Sequence, residues 1–376
     1  MNFAFTEEQD MLRDAVRGFF ESYVPISEVR ALMDTVDGYD PAIWQRMASE
    51  VGLQGLAIPE EYGGQGFSFI ELAIVLEEMG RSLVCAPYFS SVVLAANAIL
   101  NAGSEADKQT LLPGIASGER IVALALNEPG HGWGADGITM VARRDGDDYV
   151  LDGEKTYVID GHVADQLVVV ARLEGTSGTD GIGCFSVATD ADGLTRTPLA
   201  TMDQTRKQAH IAFAGVRACA IGTAGSAWPA VEKTLQQASV ALANEMVGGA
   251  QRVLDMAVEY AKVRVQFGRP IGSFQAVKHK CADMLLEVES AKSAAYYAAW
   301  AAAEDNDELP VVSSLAKAYC SDAYFHAAAE NIQIHGGIGF TWEHDAHLYF
   351  KRAKSSEILL GDATYHRELL AQRIGI

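Results

Sequence analysis

Arg264, Phe267 and Gln275 fall inside one short stretch, Arg264-Val-Gln-Phe-Gly-Arg-Pro-Ile-Gly-Ser-Phe-Gln275, at the end of a long run with helical periodicity. A guanidinium offers a planar fork of donors to a phosphate. Phe267 adds a ring, Gln275 an amide, and Gly268 a residue that ends a helix and lets a ligand approach the backbone. Together they suit a phosphate-bearing aromatic cofactor. A second cluster, Gln333-Ile-His-Gly-Gly-Ile-Gly-Phe340, again sets an amide beside glycines, here Gly336 and Gly337. A third feature is Glu245, a single carboxylate among apolar and tiny residues in Val240-Ala-Leu-Ala-Asn-Glu-Met-Val-Gly-Gly249. Buried there, it would be poised for proton abstraction, with Gly248 and Gly249 leaving room for a ligand. Paired with Arg252 two turns on, it would be an ordinary helix residue.

Other polar residues leave both readings open. Arg206 and Lys207 could lend positive charge to a phosphate or solvate a loop. His326, His335, His344, His347 and His366 fit no metal-ligand spacing and suit helix faces and loop caps. The five cysteines are scattered, without a CxxC pair, so neither a metal site nor a disulfide framework is expected.

These residues need elements to hold them. Residues 1–120 predict helices: Thr6 is an N-cap ahead of Glu7 and Glu8, with Met11, Leu12, Val16, Phe19 and Phe20 at helical spacing. Asp40-Pro41 opens another helix, and 69–79 and 87–100 read as buried ones. From about Val122 the pattern changes. Runs at 150–159 and 166–172 are rich in β-branched residues and flanked by Asp-Gly turn signals, and 195–199 and 210–214 continue as short strands. Beyond Val231 the chain is helical again, with alanine-rich helices at 291–303 and 311–329. The expected fold is therefore α+β and mainly helical. It comprises an N-terminal helical domain (1–120), a middle β-barrel-like domain (121–230) and a C-terminal four-helix bundle (231–376).

Composition narrows the function. A chain of 376 residues with 49% hydrophobic content is folded and multidomain. A formal charge of −21 argues against nucleic acid and anionic membranes as partners. No apolar run approaches the length of a membrane span, and the N-terminal residues lack the pattern of a secretory leader. The cytoplasm is the expected compartment.

The order helices, β domain, helical bundle, together with Phe5-Thr-Glu-Glu-Gln9, Ile58-Pro-Glu-Glu-Tyr-Gly-Gly64, Asn127-Glu-Pro-Gly130, Asp152-Gly-Glu-Lys155 and the two clusters above, resembles the acyl-CoA dehydrogenase family along essentially the whole chain. The resemblance implies FAD at a subunit interface, with Arg264 near its phosphates and Phe267, Gln275, Gln333, Gly336 and Gly337 touching the same cofactor, partly in trans. It implies a flavin-facing segment at Leu126, Asn127 and Gly132, with Tyr157 and Ile159 where the family usually has Trp-Ile-Thr. Trp133 stands where a serine is usual, and Ile159 lacks the threonine's hydrogen bond.

The family's reaction removes the α-proton of an acyl-CoA thioester with a carboxylate while hydride leaves the β-carbon for the flavin. The usual loop glutamate is missing here, because Tyr-Glu-Gly-Thr is replaced by Leu359-Leu-Gly-Asp362, and the second family position falls on Ala238. Glu245 lies two turns beyond Ala238, about 10 Å along the helix and on nearly the same face. It is the expected base, with Asp362 the alternative. The implied activity is dehydrogenation of an acyl-CoA to trans-2-enoyl-CoA in lipid β-oxidation, with electrons passed to an electron-transfer flavoprotein. The implied assembly is a dimer of dimers. Two alternatives stay open: a non-catalytic or half-site subunit of a heteromeric acyl-CoA dehydrogenase, and an oxidase that passes electrons to oxygen.

Overall fold

The computed structural model describes residues 5–376; the first four residues, where the leader reading began, lie outside the described residues. In chain order the helices are α1 (Glu7–Tyr23), α2 (Ile26–Met33), α3 (Pro41–Arg46), α4 (Phe69–Ser82), α5 (Ala96–Ala102) and α6 (Glu105–Ala116). Strands follow: β1 (Val122–Ala125), β2 (Val141–Asp145), β3 (Asp148–Ile159), β4 (Gln166–Leu173), β5 (Ile182–Ala188), β6 (Leu194–Pro198) and β7 (Gln208–Ile221). The 36-residue α7 (Trp228–Val263) leads to a hairpin of β8 (Val265–Gln266) and β9 (Arg269–Pro270). Last come α8 (Gln275–Ala303), α9 (Leu309–His335), α10 (Ala346–Ile358) and α11 (Ala363–Arg373). The C-terminal part thus holds three long helices and two shorter ones.

Local chemistry accounts for the helix starts. Thr6 and Gln9 form a reciprocal capping box, Gln9 N donating to Thr6 Oγ1 at 3.2 Å and Thr6 N to Gln9 Oε1 at 3.0 Å. Asp40 caps α3 by accepting from Ala42 N at 2.6 Å, with Pro41 in the first turn.

The chain packs as two compact units. One comprises residues 31–68 and 85–238, the other 1–30, 69–84 and 239–376. In the first, β1 and β2 run parallel to β4, and the remaining pairings are antiparallel. Pairing passes from β4 through β2, β3, β7 and β5 back to β4, with β6 added beside β7, in one seven-stranded sheet. The run Leu167–Ala171 of β4 is fully buried, which is why it reads as a continuous apolar sequence without alternation. β3 carries two irregularities against β7, one between Leu151 and Gly153 and one between Lys155 and Val158. The second puts Tyr157 at φ 55° and turns its ring outward.

Two of the sequence motifs meet inside this unit. Lys155 donates from Nζ to Glu128 Oε1 at 2.7 Å and to the Leu126 carbonyl at 2.9 Å, with both charged side chains buried. Glu128 also accepts from Thr139 N, Thr139 Oγ1 and Met140 N. The Glu-Pro-Gly and Gly-Glu-Lys stretches are therefore two halves of one clamp that joins the segment after β1 to β3.

Arg206 and Lys207 also lie in this unit, and neither is a solvated cation waiting for a phosphate. Arg206 is buried over the Phe89 ring, and Lys207 donates to the Met33 carbonyl at 2.7 Å.

In the second unit α7 meets α4 at two glycines. A Cβ on Gly80 would lie 1.9 Å from the Glu245 carbonyl oxygen, and one on Gly248 would lie 1.7 Å from that of Glu77. A Cβ on Gly249 would strike the Tyr324 ring at 2.4 Å. Gly248 and Gly249 are thus filled by helices on either side. This corrects the expectation that they leave room for a ligand.

Candidate active site

The cofactor cluster expected from the sequence begins where α7 ends. Arg264, Phe267 and Gln275 are all exposed. Between them β8 and β9 pair Gln266 with Arg269, leaving a two-residue loop of Phe267 and Gly268 at φ 52° and 74°. Both residues with positive φ make the turn that matches the twist of a hairpin, and glycine is at ease there. Phenylalanine is not. Its ring is 92% exposed, so strain and exposed apolar surface coincide at one residue. The hairpin is fixed to the helix end, since Ile271 N donates to the Arg264 carbonyl at 2.8 Å and a Cβ on Gly272 would lie 2.9 Å from the Ala261 carbonyl.

The second cluster sits at the neighbouring helix end. Tyr260 of α7 stacks on His335 of α9 with ring centroids 4.2 Å apart, and His335 in turn contacts His344 at 4.4 Å. Gly336 caps α9 at φ 65°, and neither it nor Gly337 has a described atom within 4 Å of where a Cβ would stand. Gln333 is exposed beside them. His335, His344 and His347 act as packed rings, and His326 lies 2.6 Å from Glu287, so these histidines serve helix faces and loops.

The β-domain residues divide. Thr156 N donates to the Asn127 carbonyl at 2.8 Å, which brings Asn127 next to the outward-turned Tyr157. Gly132 is exposed. Leu126 and Ile159 point into the core, 4% and 3% exposed, so at those two positions only backbone groups are presented.

Glu245 is buried, as expected, but it has company. Arg352 of α10 donates from Nη1 to Glu245 Oε1 at 2.7 Å, and the two side chains are 4% and 6% exposed. The anticipated partner Arg252 instead lines a cleft of about 300 Å³ with Phe20, Met256 and Tyr349. Nothing in the sequence marks Arg352: in Phe-Lys-Arg-Ala-Lys it reads as a solvated basic face.

Asp362 is exposed and caps α11, accepting from Tyr365 N at 2.8 Å. The loop before it is held from beneath. Lys317 donates from Nζ to the carbonyls of Glu357 at 3.0 Å and Gly361 at 2.9 Å and to Ser321 Oγ at 3.1 Å, while His366 Nε2 donates to the Leu360 carbonyl at 3.0 Å. Leu360 itself is left-handed at φ 62°. Burial pulls the Lys317 ammonium down to about 7.

Burial, then the nearby Lys317 charge, pulls His366 from 6.5 down to about 4. The imidazole is therefore neutral when folded. The unfolded chain takes up this proton below pH 6.5 and the folded one only near 4, so the stability it supports is complete above 6.5 and lost as pH falls between the two. The loss is about 3 kcal/mol. In denaturant titrations between pH 7 and 4, His366→Gln is expected to show a flatter decline than the parent.

Three family descriptions match consecutive stretches: the acyl-CoA dehydrogenase N-terminal domain over residues 6–119, middle domain over 123–216 and C-terminal domain over 225–375. The chain belongs to the acyl-CoA dehydrogenase family. It is similar to acyl-CoA dehydrogenase IpdE2 of Mycobacterium tuberculosis, 36% identical over 354 residues that cover 94% of this chain and 93% of that protein. Butyryl-CoA dehydrogenase from Megasphaera elsdenii superposes with a TM-score of 0.93 at 27% identity, covering 100% of both chains. The ChsE4–ChsE5 complex from Mycobacterium tuberculosis gives 0.90 at 30% identity, covering 100% of this chain and 99% of that one.

Acyl-CoA dehydrogenases are oxidoreductases, and family members are FAD flavoproteins. The donor set at the α7 and α9 ends fits such a cofactor. An exposed guanidinium suits a diphosphate, the exposed Phe267 ring a flat heterocycle, and the open space over Gly336 and Gly337 a close backbone approach. Phe267→Asn, which tolerates positive φ, is expected to leave the melting temperature unchanged or slightly higher while weakening FAD retention about tenfold. Flavin absorbance after gel filtration checks it. Among the described residues, no helix is long and apolar enough to cross a membrane.

Proposed function

We propose that this acyl-CoA dehydrogenase carries out FAD-dependent α,β-dehydrogenation of an acyl-CoA thioester, giving the trans-2-enoyl-CoA, and passes its electrons to an electron-transfer flavoprotein. Glu245 is the base. It takes the α-proton as an O–H bond forms on its carboxylate, hydride leaves the β-carbon, and the Cα–Cβ double bond forms between them. Bound FAD would supply the hydride acceptor. Arg264, Phe267, Gln275, Gln333, Gly336 and Gly337 hold that cofactor, partly across a subunit boundary, so the working form is an oligomer, a dimer of dimers. The 1–120, 121–230 and 231–376 divisions serve as its domains, and the cytoplasm as its compartment.

The observation that supports this reading best is a dry carboxylate held in place between helices, at 5% exposure, in a family whose reaction starts with proton abstraction. Asp362, engaged as a cap, suits the role less.

A second reading is a half-site subunit of a heteromeric enzyme, in which a related chain supplies the base. The missing loop glutamate, Ile159 in place of the usual threonine, and the similarity to a two-protein complex favour it. Expression of the chain alone separates the two. A yellow protein bleached by a member of a panel of straight-chain, branched and sterol-side-chain acyl-CoAs supports the first reading. A protein that becomes yellow and active only when co-produced with a related chain supports the second. Peroxide output during turnover would point to an oxidase.

A further inference from the structure

We propose that Arg352 is a positioning residue for Glu245, fixing the carboxylate that abstracts the proton. The inference rests on the reading of Glu245 as base.

Three observations carry it. The contact is short and dry: Nη1 to Oε1 at 2.7 Å with both side chains almost fully covered. The backbones at both ends are held independently of the pair. At Glu245, α7 is pressed against Gly80 of α4 so closely that no Cβ fits. α10, which carries Arg352, is held near its end by Lys317 at the Glu357 carbonyl, and Lys317 and His366 hold the loop that follows at Gly361 and Leu360. With α7 and α10 fixed, the remaining freedom of Glu245 lies in its own side-chain torsions, and the guanidinium takes that up. Finally, a buried ion pair is poor value as a stability device, since desolvating two charges offsets most of their attraction and apolar side chains of similar volume serve as well. Its use here is to orient.

The chemistry follows. Arg352 ties one carboxylate oxygen of Glu245. The tie gives that carboxylate a fixed direction, and direction governs proton transfer from carbon, where reach must be set before the bond breaks.

The test uses the flavin-loaded protein, the acyl-CoA that bleaches it fastest, and the same thioester deuterated at the α-carbon. Arg352→Met is expected to slow single-turnover bleaching about 100-fold, to leave the acyl-CoA dissociation constant within about threefold, and to enlarge the α-deuterium isotope effect. Arg352→Lys is expected to recover about tenfold of the loss. Added to Glu245→Gln, Arg352→Met is expected to cost nothing more, because the two act as one unit.

Parental bleaching by Arg352→Met overturns the proposal. So does a loss of rate matched by equal losses of flavin and substrate affinity with an unchanged isotope effect, which marks a purely structural role. Should Arg352→Met not fold, Arg352→Lys and the neutral pair E245Q/R352M decide, and a parental rate and isotope effect in Arg352→Lys overturns it. A parental rate in Glu245→Gln alone removes the base itself, and the proposal with it.

Discussion

Glu245→Gln is expected to yield a folded, yellow protein whose bleaching by acyl-CoA is slowed about 10³-fold, in the middle of the range a positioned general base contributes. Glutamine fills the same volume and still offers Arg352 an oxygen acceptor, so the α4–α7–α10 packing should survive. What it lacks is a place for the proton. Asp362→Asn is the control, because asparagine is as good an N-cap as aspartate. With the cap to Tyr365 N kept, turnover and melting temperature should stay near parental values. Single-turnover absorbance near the flavin band reads both variants. A fast Glu245→Gln would shift the chemistry to another chain and favour the half-site reading. A slow Asp362→Asn beside a fast Glu245→Gln would move the base to the loop.

The sequence disclosed those parts of the fold and site whose cause is local. Thr6, Asp40 and Pro41 announce helix starts because capping needs only residues three or four apart. β3 and β4 stand out through β-branched runs. β5, Ile-Gly-Cys-Phe-Ser-Val-Ala, does not, since a strand buried on nearly every residue has no alternation to read. β7 is legible only at 210–214, although it extends from Gln208 to Ile221, because Gly215 and Arg217 break the strand pattern.

The same division holds at the site. The Arg264–Gln275 cluster is contiguous and readable, although the β8–β9 hairpin within it is not. The Glu245–Arg352 pair joins residues 107 positions apart and is not readable. Gly248 and Gly249 show why, for a missing side chain looks the same in sequence whether the space belongs to a ligand or to a neighbouring helix. Here α4 and Tyr324 take it.

The clamp between Glu128 and Lys155 carries the largest expected effect on stability. Lys155 is fully buried and Glu128 nearly so. Burial pulls the lysine down to about 8. At Glu128 burial works against ionisation, but the Lys155 charge and the donors from Lys155, Thr139 and Met140 outweigh it and hold the carboxyl below its usual 4.5. Removing either partner strands a buried charge, so Glu128→Leu or Lys155→Met is expected to cost about 3–5 kcal/mol. That would lower the melting temperature on the order of 10 °C. The double change E128L/K155M should cost less than the two single costs combined, because it leaves no lone ion behind. Acid gives the independent check. With the folded carboxyl below 4.5, its stabilisation is complete above that pH and lost as pH falls through the folded value. The parent should therefore lose stability below pH 4.5 more steeply than Glu128→Leu, and parallel curves would show that folding leaves the Glu128 carboxyl unshifted. Leu126, Asn127 and Tyr157 are tied to the same clamp through the Leu126 carbonyl and the Thr156–Asn127 bond. Loss of the clamp should therefore loosen flavin as well as lower the melting temperature, whereas Phe267→Asn should affect the flavin alone.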